Sequence, residues 1–380
     1  MKPKSASSII LAIVCLLAVD SAMSLAKTAP LQLCVDPSNG ACSATIQDAV
    51  NQVPTGGSAI ITIAAGNYPE QITVDGITVS FVGAGPGATI VDATNGASLP
   101  AFLFRNGSNG ELHMMTIKNG SGGVGGDVQF KQLSPKNKGV GTLKIENCEL
   151  TGANPGGSTA NGTVDFFGAT LIIDSSSITN NVDTGINIAR GSAIITNTTI
   201  SGNDLSSKAS GQETGCGISL GAACSAALDN VTITNNICGG NGSSEGGGIF
   251  VDIGAKSFSI ANTVIAGNSA PIGPDCESTG GVGCTKTKLK SKGFNLIEDV
   301  SGCPFKAAKS DITGTDPELN SIASCSGLDV QTPMGGSPLI GKGNPGPLAG
   351  KIGSASPRCS PNDECGTGRT QGSCTIGAVE

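Results

Sequence analysis

The chain is poor in the side chains that many catalytic and nucleic-acid-binding sites use. Its 380 residues include no Trp, one Tyr and one His, and only 13% of them are charged. A single histidine argues against a serine-hydrolase triad. Because no CxxC pair occurs either, a zinc–thiolate site is disfavoured. The net charge of −7, with no basic stripe, argues against nucleic acid as a partner.

Long apolar runs are also missing beyond the N-terminus, so no membrane span is predicted after it. Lys2 and Lys4 precede the apolar run Ile9–Val19, which is too short for a span, and Ser24-Leu25-Ala26 follows as a small-x-small pattern. This order is typical of a signal peptide. We therefore expect residues 1–26 to be removed and the protein to be secreted or held at the cell surface.

Six stretches of the chain repeat one pattern: an alternating apolar run, a small polar pair, a β-branched or Leu anchor, then Gly or Asn. The anchors are spaced by 33, 28, 22, 33 and 32 residues, and they are Ile117, Leu150, Ile178, Ile200, Ile233 and Ile265. Strand repeats of this length indicate a solenoid whose coils stack about 4.8 Å apart. The pattern predicts an all-β, right-handed parallel β-helix in which the anchors form one inward row. We expect Leu112, Leu143, Leu171 and Ile194 to form another.

The 57 glycines and many asparagines suit such a fold, since both residue types tolerate positive φ at recurrent corners. Asparagines that follow the anchors are expected to hydrogen-bond along the coil axis. They are Asn180, Asn181, Asn203, Asn235, Asn236 and Asn268.

Four segments follow from this pattern: 1–26 signal peptide, 27–58 N-terminal loop and capping helix, 59–270 repeat body, and 271–380 last coils with a Cys-rich region. The capping helix is predicted over Ser43–Val53, with Ser43 as N-cap. A solenoid needs such a cover over its apolar end. The C-terminal region is expected to be a disulfide-stapled cap, and the protein a monomer.

In an exported chain, cysteines predict disulfides. Sequence proximity favours Cys34 with Cys42, Cys216 with Cys224, and Cys276 with Cys284. Cys303 with Cys325, and two of Cys359, Cys365 and Cys374, are further candidates. Cys148 lies within the repeat pattern and is expected to be a small core residue.

Two family resemblances accompany the repeats. Thr45–Ala93, with TIQDAVNQVP and GNYPEQITV, resembles the opening of pectin methylesterases and other pectin-lyase-fold proteins, which implies the fold. Asn262–Glu380, with FNLIED, TDPELNSI, GGSPLIGKG and DECGTGRTQGSCTIGAVE, is similar to β-helix proteins of the choice-of-anchor Q type. That second resemblance implies a secreted or surface protein and gives no defined activity.

One block bears on catalysis. Gly162–Gly168 (GTVDFFG) is similar to a pectin methylesterase block whose Asp is the nucleophile, which would give that role to Asp165. The block is one residue short, and a second acid block and an Arg-x-Trp are lacking. Arg190, one coil on, is the candidate cation. The alternative prediction is a solvent-facing Asp165 on an ordinary coil.

A second set of acids precedes the Gly-Ile pairs that recur at 32 and 31 residues: Asp183, Glu213 and Glu245. We expect them on successive coils, either as solvated acids that discourage edge pairing or as a weak Ca²⁺ or saccharide site. No other cofactor is predicted. The favoured function is a non-enzymatic structural or recognition module that binds polysaccharide or a cell-envelope component. The alternative is an esterase, lyase or hydrolase acting on uronic-acid polymers.

Overall fold

The computed structural model describes residues 29–95, 99–122, 125–132, 139–154, 161–207, 214–239, 243–278, 289–346 and 358–380. The predicted signal peptide, Glu213 and Cys284 lie outside these ranges. The chain forms one helix, α1 (Ile46–Asn51), a 3-10 turn at Ala93–Asn95, and strands in the described ranges. In chain order these are β1 (Leu31–Val35), β2 (Ser58–Ile63), β3 (Gly66–Tyr68), β4 (Ile72–Asp75), β5 (Thr78–Val82), β6 (Thr89–Asp92), β7 (Phe102–Arg105), β8 (Asn109–Lys118), β9 (Val128–Lys131), β10 (Thr142–Thr151), β11 (Val164–Thr179), β12 (Ile186–Ser201), β13 (Ile218–Leu220), β14 (Ser225–Thr234), β15 (Ile249–Val251), β16 (Ser257–Ala261), β17 (Val264–Ala266), β18 (Cys276–Glu277), β19 (Leu289–Ser291), β20 (Leu296–Ile297), β21 (Phe305–Lys306), β22 (Ile312–Thr313), β23 (Ala323–Cys325) and β24 (Leu328–Val330).

Parallel pairing between successive coils sorts β1–β22 into three faces, here called sheets A, B and C. Sheet A stacks β1, β2, β5, the first halves of β8, β10 and β14, the middles of β11 and β12, then β16, β19 and β21. Sheet B stacks β3, β6, the last parts of the same long strands, β17, β20 and β22. Sheet C stacks β4, β7, β9, the first parts of β11 and β12, β13, β15 and β18. The predicted all-β, parallel β-helix fold is therefore confirmed.

The anchor row is also confirmed. Leu150 pairs with Ile117 and Ile178, and the row continues through Ile200, Ile233 and Ile265, each of them fully buried. The second predicted row is correct only in part: Leu143 pairs with Leu171, and both are fully buried, as is Leu112. Leu112 pairs with Ile145 rather than with Leu143, and Ile194 lies on the outer face. Ile194 is one residue from the true partner of Leu171, and one residue changes the face because side chains alternate. Leu143 is two residues from the true partner of Leu112, which keeps the inward face but changes the row.

The asparagines that follow the anchors lie at corners of the coils, and the geometry of these corners explains them. The second residue after each anchor has positive φ, as in Asn180 (56°) and Gly202 (66°), so these positions take Asn or Gly. The third residue carries the ladder: the amide nitrogen of Asn181 donates to Asn203 Oδ1 at 2.8 Å, and Asn203 donates to Asn236 at 2.8 Å. Asn236 donates in turn to Asn268 at 2.9 Å. Asn180 and Asn235 make the turn and lie outside this ladder.

The N-terminal end is closed by α1, with Ile46, Ala49 and Val50 buried. Its N-cap is Thr45, whose Oγ1 accepts from Asp48 N at 3.0 Å, rather than the predicted Ser43. Ser43 N donates to Cys34 O at 2.9 Å, which keeps the chain extended beside β1 and delays the helix by two residues. Glu70 adds a second cap by accepting from the backbone of Ile46 and Gln47 at 2.9 and 3.0 Å.

Disulfides follow coil periodicity more than sequence proximity. Cys34–Cys42 is as predicted, but Cys216 bonds Cys238 and Cys276 bonds Cys303, at separations of 22 and 27 residues. A strand carries near neighbours apart, whereas the chain returns after about one coil. Thus β13 separates Cys216 from Cys224, and Cys224 is a buried free thiol, as is Cys148.

The remaining pairs are Cys325–Cys365 and Cys359–Cys374, so the Cys303–Cys325 prediction is wrong, while two of the last three cysteines do pair. Several disulfides indicate an extracellular protein. Within the part of the chain that the structure describes, no helix has the length and apolarity that crossing a membrane requires.

The C-terminal region has two parts. The sheets continue to β22, and beyond it residues 314–346 and 358–380, here called the C-terminal layer, fold back along the outer face of sheet B. The layer contains the antiparallel pair β23–β24. Its Leu339 and Ile376 form an apolar cluster with Val264 of β17, so the outward side chains of sheet B are buried.

Candidate functional site

Asp165 does not face solvent, contrary to the alternative prediction for that position. It points outward from sheet C, yet only 2% of its surface is exposed. Oδ1 accepts from the Asn187 amide at 2.9 Å and Oδ2 from the Gln129 amide at 3.2 Å. Burial, partly offset by these two hydrogen bonds, raises the pKa of Asp165 to about 7. The two amides lie on the adjacent coils and thus hold both carboxylate oxygens.

Arg190 is not a direct partner of Asp165. It pairs with Phe167, two residues further along β11, and its guanidinium donates to the carbonyl of Ala189 at 2.9 Å. Lys131 pairs with Phe167 from the other side and is the cation that acts on the pKa of Asp165. The structure therefore puts Asp165 and the two cations on neighbouring rows of sheet C.

Of the three acids predicted to lie on successive coils, the structure describes Asp183 and Glu245. Glu213 lies outside the described residues; Thr214 bridges to Glu245, which is buried. Asp183 lies further along the turn, where its carboxylate accepts from the backbone of Asn161, Gly162 and Thr184 at 3.0, 2.9 and 2.9 Å. Asp183 therefore stabilises a turn. Asp183 and Glu245 stand at different distances from their Gly-Ile pairs, so these two acids do not share one register position.

The outer face of sheet A carries a regular polar row that sequence inspection missed. Eight successive coils each place a hydroxyl or amide at the first outward position, and all eight residues are exposed or half-buried. In order along the axis they are Ser58, Thr78, Asn109, Thr142, Thr170, Ser192, Ser225 and Ser257. The row repeats hydrogen-bonding groups at the strand spacing of about 4.8 Å. The signal in the sequence is a Ser, Thr or Asn immediately before the first inward-facing residue of sheet A on each of these eight coils.

The same face contains a groove with a volume of about 510 Å³. Ile172 and Ile194, paired on adjacent coils, form an aliphatic patch in it. Mostly polar residues surround the patch, and the C-terminal layer forms the wall on one side with Ser360, Pro361 and Asn362. The other lining residues are Lys144, Glu146, Asp174, Ser175, Thr196 and Asn197. This volume lies in the range of small-molecule and saccharide-sized sites.

Ionisable side chains at one end of the groove form a chain of close contacts. Glu146 Oε2 accepts from Lys144 Nζ at 2.7 Å and lies 3.0 Å from His113 Nδ1. His113 Nε2 lies 3.3 Å from Glu111 Oε2. Sequence analysis had assigned no role to the single histidine, which the register brings beside Glu146.

The two carboxylates of the groove have opposite pKa shifts. Burial raises the pKa of Glu146, but Lys144 and then His113 outweigh it, and the net pKa is lowered. Burial, reinforced by the charge of Glu146, raises the pKa of Asp174. Glu146 therefore stays ionised when Asp174 accepts a proton, so the groove presents both donors and acceptors to a ligand.

A second cavity, of about 560 Å³, lies further towards the N-terminus on the same face. The first four members of the polar row line it, together with Ile60 and Glu111. Ile60, Ser80, Glu111, Lys144, Ile172 and Ile194 are consecutive in one outward row, so both cavities lie along one line of sheet A.

Among the residues described, no cluster of three or more His, Cys, Asp or Glu side chains is arranged to hold a metal ion. Asp363, Arg369 and Glu380, near the end of the chain, form a structural cluster. Arg369 Nη1 lies 3.2 Å from Glu380 Oε2, and Glu380 N donates to Asp363 Oδ2 at 3.0 Å. Arg369 Nη2 also donates to the carbonyl of Gly377 at 2.9 Å, so these residues lock the terminal turn.

The fold and its outer faces define the protein as a parallel β-helix. A search against protein-family models and one against curated proteins give no match. Among solved structures, pectate lyase Pel9A is similar at 13% identity and a TM-score of 0.48, over 87% of this chain and 96% of that one.

Two esterase structures are also similar. The rice weevil pectin methyl esterase has 14% identity and a TM-score of 0.32, over 81% of this chain and 84% of that one. The pectin methylesterase from carrot has 13% identity and a TM-score of 0.31, over 76% and 90%. At such values these likenesses carry no information on activity, which must be argued from the side chains.

Proposed function

We propose that this is an exported, non-enzymatic β-helix protein that binds a neutral glycan on the outer face of sheet A. The observation that carries the proposal is the groove in which hydroxyl, amide and paired charged groups surround the aliphatic patch of Ile172 and Ile194. A sugar ring offers hydroxyls to the polar groups and C–H faces to the patch. The polar row extends the same chemistry along the axis.

The charge of the groove selects among glycans. It contains two carboxylates, Glu146 and Asp174, and its cation Lys144 is already paired with Glu146. The whole chain has a net charge of −7. A uronic-acid polymer would therefore meet like charge, whereas a neutral polysaccharide would not.

Export through an N-terminal signal and kinship with choice-of-anchor Q proteins belong to the same proposal. The disulfides support export, and the locked turn of Asp363, Arg369 and Glu380 supports the kinship. The protein would act outside the cell as a monomeric recognition module on a polysaccharide or cell-envelope component. A bound Ca²⁺ is not required for this role.

One observation favours the alternative, a carbohydrate-active enzyme. Asp165 has a pKa near 7, and Lys131 and Arg190 lie on the next row. Such a group can donate and accept protons at neutral pH. Against a nucleophilic role stands its burial under two amides that hold both oxygens.

The test is isothermal titration against oligosaccharides of neutral glucans, mannans and xylans and of polygalacturonate. Ile194→Arg fills the groove and should weaken neutral-glycan binding at least about tenfold, or 1.4 kcal/mol. Leu103→Arg is the matched control, because Leu103 is a half-buried aliphatic side chain that points outward from sheet C. It should bind as the wild type does.

Three results would contradict the proposal: no binding to any neutral oligosaccharide, equal loss in both variants, or preference for polygalacturonate. Turnover of methylated pectin that disappears in Asp165→Asn would support the enzymatic alternative instead.

A further inference from the structure

The C-terminal layer is a disulfide-stapled unit that, among the described residues, has no disulfide to the coils it covers. In the described part of the chain, its two disulfides, Cys325–Cys365 and Cys359–Cys374, join layer residues to one another. The contacts that dock it on sheet B are hydrogen bonds and packing. For example, Ala378 N donates to Thr232 Oγ1 at 3.0 Å, and Ser201 Oγ donates to Gln331 Oε1 at 3.1 Å.

Two carboxyl groups are buried between the layer and the sheet. Glu149 points outward from sheet B, where it accepts from Ser177 Oγ, from Thr179 Oγ1 at 3.0 Å and from Asp329 N of the layer at 2.8 Å. Glu364 of the layer accepts from Thr199 Oγ1 of the sheet at 2.5 Å. Its other oxygen, Oε1, is buried and has no hydrogen-bond partner among the described residues. An ionised carboxylate in this position is costly.

The charges around these groups do not compensate them. Asp329 faces Glu149, while Glu149 and Asp363 face Glu364. Arg369 of the layer pairs with Glu380, and its charge acts on Asp229 of sheet A. Burial therefore raises the pKa of Glu149 to about 7 and that of Glu364 well above its ordinary value.

We propose that the C-terminal layer is a pH-sensitive latch, which docks on sheet B while Glu149 and Glu364 are protonated and opens as a stapled unit when they ionise. When folding raises the pKa of an acid, the protonated group stabilises the folded state. This contribution is complete at pH values below the unfolded pKa, near 4.5, and is lost as the pH rises through the folded pKa. The latch is accordingly closed at mildly acidic pH and weakened above pH 7.

The latch bears on the groove, and this step rests on the proposed function. Ser360, Pro361 and Asn362 of the layer form one wall of the groove, immediately before Glu364. Ser360 N is held by Asn230 Oδ1 at 3.2 Å. Opening the layer removes that wall, so glycan affinity should fall at alkaline pH together with docking.

The experiment is hydrogen exchange followed by mass spectrometry at pH 5 and pH 8.5, corrected for intrinsic exchange rates. Peptides from residues 358–380 are compared with peptides from the sheet-A part of β11 and β12. From the pKa of Glu149 alone, the opening equilibrium of the layer should rise on the order of 100-fold between these pH values. The sheet-A peptides should keep their protection.

Glu364→Gln and Glu149→Gln each remove one ionisation, and each should reduce the rise in opening at pH 8.5. Glu318→Gln is the control, since Glu318 is an exposed acid of the same layer, and it should behave as the wild type does. Equal protection of the layer at both pH values, an unchanged rise in both variants, or opening together with sheet A would overturn the latch. If the layer opens as described but the protein binds no glycan, the proposed function is wrong and the latch still stands.

Discussion

The outer faces of sheets A and B are made by the same strands, yet they have opposite environments. Glu146 and Glu149 are three residues apart in β10 and both point outward. Glu146 lies in the open groove of sheet A, where Lys144 and His113 hold its carboxylate, and its pKa is lowered. Glu149 lies under the C-terminal layer, and burial raises its pKa to about 7. The difference comes from a segment 180 residues away, whose Asp329 binds Glu149.

This contrast shows what alternation along a strand leaves open. Period 2 tells which side chains point away from the core. It does not tell whether an outward face meets water or a second layer. On sheet B the outward side chains are mainly hydroxyls, which can hydrogen-bond to a docked backbone: Ser177, Thr179, Thr199, Ser201, Thr232 and Thr234. On sheet A the corresponding positions carry charges and the exposed polar row.

The largest predicted effect is on the free energy of unfolding, which a new charge should lower far more on the outer face of sheet B than on that of sheet A. Val264→Asp puts a charge on the outer face of sheet B, where Val264 is buried against Leu339 and Ile376. We expect it to cost about 3 kcal/mol or more of unfolding free energy, because an unpaired charge would be buried.

Ser259→Asp is the matched change on sheet A, since Ser259 is half-buried and points outward beside Lys290. It should stay within about 0.5 kcal/mol of the parent. Urea unfolding curves of the two variants give the comparison, and equal losses would mean that sheet A is covered as well.

The second effect is the pH dependence of the two glutamates. Glu149 has a raised folded pKa, so its contribution is lost as pH rises through about 7, and Glu149→Gln should remove on the order of 2 kcal/mol of alkaline destabilisation. Glu146 has a lowered pKa, so its contribution to stability is present at pH values above its unfolded pKa, near 4.5, and is lost as the pH falls. Its effect should be smaller, because the side chain is partly exposed.

Melting temperatures of the parent, Glu149→Gln and Glu146→Gln between pH 4 and pH 9 provide the measurement. The difference between parent and Glu149→Gln should grow on the alkaline side, and that for Glu146→Gln should shrink on the acidic side. The same sign for both variants would contradict the assignment of two environments.

Local patterns predict local features of this fold well. The anchors, the Asn and Gly corners and the capping helix depend on steric preference and burial that repeat within one coil, and all three are present. The second apolar row was correct only in part, because Leu112 and Leu143 occupy different register positions. The disulfides failed at Cys216 and Cys276 because partners meet after a full coil rather than within a loop.

The candidate site was harder to predict, because it depends on contacts between distant segments. Asp165 was found through its block, but its burial depends on Gln129 and Asn187 from the adjacent coils. His113 meets Glu146 only through the register between β8 and β10. The groove wall comes from residues 360–362, which no local pattern places beside β11 and β12. A search for a small polar residue immediately before the alternating apolar run of each coil would have found the polar row.

The smallest predicted change in stability is at the inward-facing residue between the two glutamates, which points into the core that sheets A and B share. Cys148 is fully buried, and its Sγ lies 3.3 Å from the carbonyl oxygen of Glu146. On some other coils the matching residue makes the same contact: Ser176 Oγ donates to Asp174 O at 2.8 Å and Thr263 Oγ1 to Ala261 O at 2.7 Å. Cys148→Ser should therefore form a hydrogen bond already present in the row, and cost less than about 1 kcal/mol.

Urea unfolding of Cys148→Ser gives this cost directly, and alkylation of the parent gives an independent check. Because burial raises the pKa of the Cys148 thiol to about 12, the native protein should resist alkylation there, and labelling should require unfolding. A loss of several kcal/mol in Cys148→Ser would mean that the interior row is not interchangeable between coils.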